Sequence, residues 1–300
     1  MSISPNPSSR PRLACEITAE RVIAARVNVT QRALDVYSTR RLPTGTLLPG
    51  LSSANVLQAD ALRQAVGSAL EAISGSLRDV MLIIPDAAVR VLLLDFDDLP
   101  QKHEDAAAVV RFRAKKSLPF DVESAALSFQ VDRTRRPIKV VAAFSPRSVI
   151  EEYEGAVADA GFNPGVVLPS ILATLGMVEA DRPTMIVKVD GATTTVSIVD
   201  GRNLILLRTL ELPGRTALSL QDISASVLPS MVFFEDTYAS KVDCVLVTGD
   251  AEMQALSSSL QGETNVRVEP LVAASLPGDA LGDTLPPSVL APVAGGLIGA

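Results

Sequence analysis

The chain has 300 residues, 47% of them apolar and 20% charged, with a formal net charge of −7. That composition supports one large or two medium domains around a sizeable core and excludes wholesale disorder. An acidic chain with three Tyr and no Trp also lacks the basic, aromatic face that general nucleic-acid binding requires.

The first twelve residues, MSISPNPSSRPR, are polar and lack an apolar run, so they read as a flexible tail rather than a signal peptide. LACEIT (13–18), RVIAARVNV (21–29) and ALDVYST (33–39) are short strand-like runs that predict an antiparallel meander. Apolar residues at Val56, Leu57, Ala61, Leu62, Val66, Leu70 and Ile73 have helical spacing, with Asn55 as the expected N-cap and Gly75 as the C-terminal stop. DVMLIIP (79–85) is a continuous apolar run ended by Pro, as a strand buried on both faces should be.

VRVLLLDF (89–96) is a further strand. A helix follows over 102–116 with acids in its first turn and bases in its last, matching the helix dipole. Two strands near 125–132 and 137–144 flank the polar turn RTRRP, and a helix over 145–162 stops at Gly161. GVVLPSILATLGMV then gives a short strand and a helix.

At 185 the pattern restarts. MIVKV (185–189), TTVSIVD (194–200) and NLILLRTLEL (203–212) form a second meander, with Asp200-Gly201 as a hairpin signal. A helix over 216–239, a buried strand over 242–249, a helix over 251–260 and a short strand at NVRVEP complete it. Both halves read βββαβα, a structural repeat without evident sequence identity. The closing VLAPVAGGLIGA falls short of the about 18 apolar residues of a membrane span and reads as a packed final helix.

Cys15 and Cys244 lie far apart in apolar runs and read as free buried thiols. With one histidine, His103 in KHED, a multi-His metal site is excluded, and that residue reads as a solvated helix residue. DFDDLP (95–100) holds three acids but reads as a solvated loop rather than a metal site. RFRAKK (111–116) and RTRRP (133–137) are basic runs. They are either a helix end and a hairpin tip, or a docking surface for an acidic partner or anionic lipid.

Two βββαβα halves are the architecture of the actin-like ATPases. The segment LIIPDAAVRVLLLDFDDLPQKHEDAAAVVRFRAKKSLPFDVESAALSFQV, with its Lys115-Lys116-Ser117-Leu118-Pro119-Phe120 step, resembles the PilM family of type IV pilus assembly proteins. So do VVAAFSPRSVIEEYEGAVADAGFNPGVVLPSILATLG and the closing LAPVAGGLIGA. The resemblance spans about residues 12–300 and is most specific over 80–175. It implies an α/β, actin-like (ribonuclease H-like) two-lobed fold. The tail is 1–12, the first lobe 13–168 with a small α+β accessory subdomain at about 86–145, and a shortened second lobe 169–300.

Such a fold holds ATP between the lobes on two hairpins that carry Asp-x-Gly. The Asp serves as a hard ligand for Mg²⁺ and the Gly lets backbone approach phosphate. Here the first motif corresponds to Glu16-Ile17-Thr18 and the second to Lys188-Val189-Asp190, followed by Gly191 and Thr194. One carboxylate has become an ammonium and one glycine an anion, which would repel phosphate in a poorly solvated cleft. The family's Gly-Gly after the third strand is Pro213-Gly214, the later glycine-rich turn is Thr248-Gly249-Asp250-Ala251, and the helical insertion between them is missing. These departures imply a vestigial site with no catalytic residue. ATP binding without Mg²⁺ through Lys188, and active ATP hydrolysis, remain the alternatives.

The resemblance further implies a cytoplasmic adaptor at the inner face of the inner membrane, peripheral rather than spanning. Its partner would be a short cytoplasmic peptide of a PilN-like single-span membrane protein. Candidate groove residues are Phe112, Leu118, Phe120 and Phe129, with Arg111 and Arg113 as a charged rim; packing in the subdomain core is the alternative for the four apolar side chains. A sugar or acyl kinase of the same fold, and the cytoplasmic half of the type II secretion protein GspL, are the other readings. The first lacks a catalytic Asp in a suitable motif, and the second is expected to continue into a membrane helix.

Overall fold

A computed structural model describes residues 10–30, 32–51, 54–212, 218–249, 252–272 and 279–299. The expected tail falls mainly outside the described residues. The first half begins with β1 (Leu13–Ile17), β2 (Arg21–Asn28) and β3 (Ala33–Arg41), then α1 (Ala59–Ser74) and β4 (Asp79–Ile84). An inserted unit follows: β5 (Arg90–Phe96), α2 (His103–Ala114), β6 (Ala125–Asp132) and β7 (Ile138–Pro146). The half closes with α3 (Arg147–Ala158), β8 (Asn163–Pro169) and the short α4 (Ser170–Thr174). The second half is β9 (Thr184–Asp190), β10 (Thr193–Asp200), β11 (Asn203–Glu211), α5 (Leu220–Tyr238), β12 (Cys244–Gly249), α6 (Met253–Thr264) and β13 (Arg267–Pro270). The chain then adds β14 (Asp279–Leu281) and α7 (Ala291–Ile298).

The meander β1–β2–β3 is antiparallel, and β4 and β8 join it in parallel on the β1 side. The second sheet repeats this as β11-β10-β9-β12-β13. The chain thus has the two-lobed actin-like fold. The inserted unit is a three-stranded antiparallel sheet in the order β5-β7-β6, with Val110 and Ala114 of α2 packed on Val140, Ala142 and Phe144.

The first sheet is buried on both faces, which is why β4 reads as an unbroken apolar run. On one face Leu13, Cys15, Leu82 and Ile84 meet Leu62, Val66 and Leu70 of α1 and Tyr153 of α3. On the other, Ala14, Ile23, Met81 and Ile83 meet Leu290, Val293, Ala294 and Leu297. The second sheet packs Val187, Val196 and Ile198 against Ile223, Val227 and Phe234 of α5 and Leu256 and Leu260 of α6. A capping box of Ser219 and Asp222 starts α5.

Three local expectations need correction. Asn55 does not cap α1, whose N-cap is Gln58 without a side-chain bond. Instead Asn55 is fully buried; its Oδ1 accepts from the Gly50 N–H (3.0 Å) and Tyr153 hydroxyl (3.1 Å). The backbone N–H groups of Asn55 and Val56 donate to Glu152 at 2.7 and 2.8 Å, so this loop is stapled to α3. Residues 279–299 do not belong with the second lobe: β14 pairs with β3 and α7 fills the core of the first sheet. Asp86–Ala88, expected in the accessory unit, is a buried 3₁₀ turn at the end of β4.

The glycines of the last helix serve close packing. A Cβ on Gly295 would stand 2.1 Å from the Ala173 carbonyl oxygen, and one on Gly176 would stand 2.3 Å from that of Gly295. Backbone therefore meets backbone where α7 crosses the α4 segment.

Candidate interlobe site

β1 and β9 are matching central strands, and each carries one buried charge near its carboxyl end, Glu16 and Lys188. The Lys188 Nζ lies 3.5 Å from Asp190 Oδ2 on its own strand and 4.0 Å from Asp86 Oδ2 of the first lobe. The Lys188 and Asp86 side chains are each 3% exposed. Asp86 leaves the carboxyl end of β4 just after Pro85, and its Oδ1 accepts the Ile171 N–H of α4 at 2.7 Å.

Burial pushes the Asp86 carboxyl above its ordinary range. The Lys188 charge and the Ile171 N–H oppose that shift, the neighbouring Asp190 adds to it, and the Thr195 hydroxyl opposes it.

Glu16 is buried, and the Ser170 hydroxyl donates to its Oε1 at 2.6 Å. Thr18 closes the β1–β2 hairpin. Its hydroxyl donates to the Arg21 carbonyl oxygen (3.2 Å) and accepts from the Glu20 and Arg21 N–H groups. Glu16, Thr18, Arg21, Lys188, Asp190 and Gly249 are among the residues around a cavity of only ≈10 Å³, at the lower limit for one water. The Lys188 ammonium thus lies where the resemblance puts a metal-binding carboxylate, and the walls add Glu16 and Asp190.

The second hairpin keeps its backbone features. Gly191 takes a φ of 56° at the β9–β10 turn, and Gly249 takes 104° where β12 ends. A Cβ on Gly249 would come within 1.9 Å of the Val189 carbonyl oxygen. Thr194 does not face the cleft: it pairs with Val189 and is buried on the α5 side of the sheet, its hydroxyl without a hydrogen-bond partner among the described residues. Its neighbour Thr195 faces Asp86 instead. Gly214 lies outside the described residues.

Sequence reasoning missed Asp86, Ser170 and Thr195. The available signal was position: Asp86 stands at the carboxyl end of a central parallel strand, where open α/β sheets place their ligands.

The six expected partner residues separate. Phe112 is 82% exposed and Arg113 is exposed beside it. Leu118, Phe120 and Phe129 pack, half-buried, on the accessory core, and Phe129 stacks under His103 at 4.5 Å between centroids. Arg111 is no free rim charge, because it donates to the Val122 and Ala125 carbonyl oxygens and holds the loop after α2.

No protein-family model matches the sequence, and no protein of curated function matches it. Solved structures do. A PilM–PilN type IV pilus biogenesis complex aligns with a TM-score of 0.80 at 19% identity, over 96% of this chain and 98% of that one. The ethanolamine utilization protein EutJ of Carboxydothermus hydrogenoformans aligns at 0.54 and 10% identity over 98% and 92%. The cytoplasmic domain of EpsL, an inner-membrane component of the Vibrio cholerae type II secretion system, aligns at 0.52 and 10% identity over 95% and 92%. Among the described residues no helix is long and apolar enough to cross a membrane. The chain has the actin-like ATPase fold in its PilM-like form.

Proposed function

We propose that the protein is a scaffold of a type IV pilus or related secretion complex. It binds a short cytoplasmic peptide of a PilN-like membrane protein at the inner face of the inner membrane and does not hydrolyse ATP. The observation that carries this reading is the likeness to PilM in a PilM–PilN complex over 96% of this chain, accessory unit included. The cleft supports the second half of the proposal, since Lys188 stands among Glu16, Asp86 and Asp190 at the position that the resemblance gives to a metal-binding carboxylate.

Phe112 and Arg113 are the exposed contacts in this reading, flanked by the partly exposed Leu118, Phe120 and Phe129. Calorimetric titration with the N-terminal peptide of a PilN-like protein, with and without Mg-ATP, tests it. Saturable peptide binding that Phe112→Ala weakens and Mg-ATP leaves unchanged is the expected result. ATP turnover above background that Glu16→Ala abolishes would make the protein an actin-like ATPase instead. A peptide that does not bind would remove the adaptor role.

A further inference from the structure

We infer that the buried Lys188–Asp86 pair is a built-in latch that holds the two lobes closed, with the protein's own ammonium serving as the cation between them. This stands independently of the adaptor reading. Lys188 belongs to the second lobe and Asp86 to the first, and both are buried at their contact. The other oxygen of Asp86 accepts the Ile171 N–H at 2.7 Å, so one carboxylate fastens the first lobe, the α4 connector and the second lobe.

Two more contacts brace the same place. Ser170 at the start of α4 donates to Glu16 at 2.6 Å, and the Thr248 hydroxyl at the end of β12 donates to the Ser288 carbonyl oxygen at 2.5 Å, just before α7. Each lies at the carboxyl end of a central strand.

The charges explain why Lys188 is the key. Glu16, Asp86 and Asp190 face this cleft, with Lys188 at its centre and Arg21 at its wall, the latter 3.2 Å from Glu20. Without the Lys188 ammonium, Glu16 and Asp190 line a cavity of ≈10 Å³ beside the buried Asp86, with Arg21 as the cation left among the lining residues. Buried like charges must gain protons or water, and parting of the lobes admits that water. A buried ion pair adds little net stability over an apolar pair of similar volume, but removing one partner is strongly unfavourable. The latch therefore acts by penalising partial opening rather than by adding stability.

Hydrogen exchange and small-angle scattering on the whole chain test this with Lys188→Ala and with the charge-free double variant Lys188→Met/Asp86→Leu. In Lys188→Ala, exchange at 85–90 and 185–196 should quicken by about a hundredfold or more. The radius of gyration should rise while α1 and α5 keep their protection. The double variant should restore both quantities. If Lys188→Ala does not fold, Lys188→Met carries the same expectation, since it removes the same ammonium and keeps most of the side-chain volume. Unchanged exchange and scattering, or a loss of protection spread evenly over α1 and α5 at unchanged radius, overturns the latch.

Discussion

The two central sheets share one topology but not one environment. The first is packed on both faces by apolar side chains, from α1 and α3 on one side and α7 on the other. The second has a comparable core only under α5 and α6. Its other face offers a small cluster around Ile171, Ile186 and Val199, and next to it the buried polar residues Lys188, Thr195 and Ser197. The repeat therefore yields a self-sufficient lobe and a dependent one. The dependent lobe meets its neighbour through charge and hydroxyl groups, which demand a defined geometry, rather than through a continuous oily seam. Matching strands carry an acid in one lobe and a base in the other, Glu16 and Lys188.

The largest expected effect breaks this polar seam. Lys188→Met alone should lower stability by about 3–5 kcal/mol, whereas adding Asp86→Leu should recover most of it; chemical denaturation of the single and double variants measures the difference. Next comes backbone space in the dependent lobe. Gly249→Ala combines a clash with the Val189 carbonyl oxygen and a φ of 104°, and should cost about 3 kcal/mol. In the first lobe Gly295→Ala meets rigid backbone and should cost about 2 kcal/mol. Gly296→Ala, which meets side chains rather than backbone, the Met81 sulfur at 2.7 Å and Ile83 Cδ1 at 3.3 Å, should cost about 1 kcal/mol.

Within the self-sufficient lobe, Glu152→Gln weakens two bonds to the Asn55 and Val56 N–H groups and should cost about 1–2 kcal/mol in thermal or urea unfolding. A pH series sharpens the comparison further. Asp86 has a raised native pKa, so from the ordinary unfolded carboxylate value of about 3.9 up to that raised value the native state holds the extra proton. Its contribution is present at low pH and is lost as pH rises. Asp121 and Asp132, held low by the Ser124 and Thr134 hydroxyls, act oppositely and lose stabilisation as pH falls. Asp86→Asn should remove only the first trend from the urea midpoint. The smallest effect is expected at the exposed Arg41–Asp283 pair beside β14, where Arg41→Ala should leave the midpoint unchanged.

The repeated βββαβα order was legible because its signals are local: alternating runs, Asp200-Gly201, and the glycines after α1 and α3. The match of Glu16 and Lys188 to the two hairpins was legible through the resemblance. What lay hidden depends on contacts between distant segments. Asp86 reads as an ordinary turn after Pro85 until Lys188 and Ile171 are brought to it across 102 and 85 positions of sequence. Thr194 and Thr195 look equivalent in a row of threonines, and strand pleat alone decides which one reaches the cleft. Asn55 has the chemistry of a cap, but Glu152 and Tyr153, nearly a hundred residues later, give it another use. Arg111 resembles a rim charge until the loop at 122–125 folds under it.

The position of α7 sets a timetable for synthesis. It covers Met81 and Ile83 of β4, yet it lies more than 200 residues further along the chain. A ribosome adding about 5–20 residues per second leaves that face of the first sheet bare for roughly ten to forty seconds. Throughout that interval the nascent chain presents Ala14, Ile23, Met81 and Ile83 to the cytosol of any host. Emergence of α7 is thus what ends that face's exposure to aggregation and to chaperones.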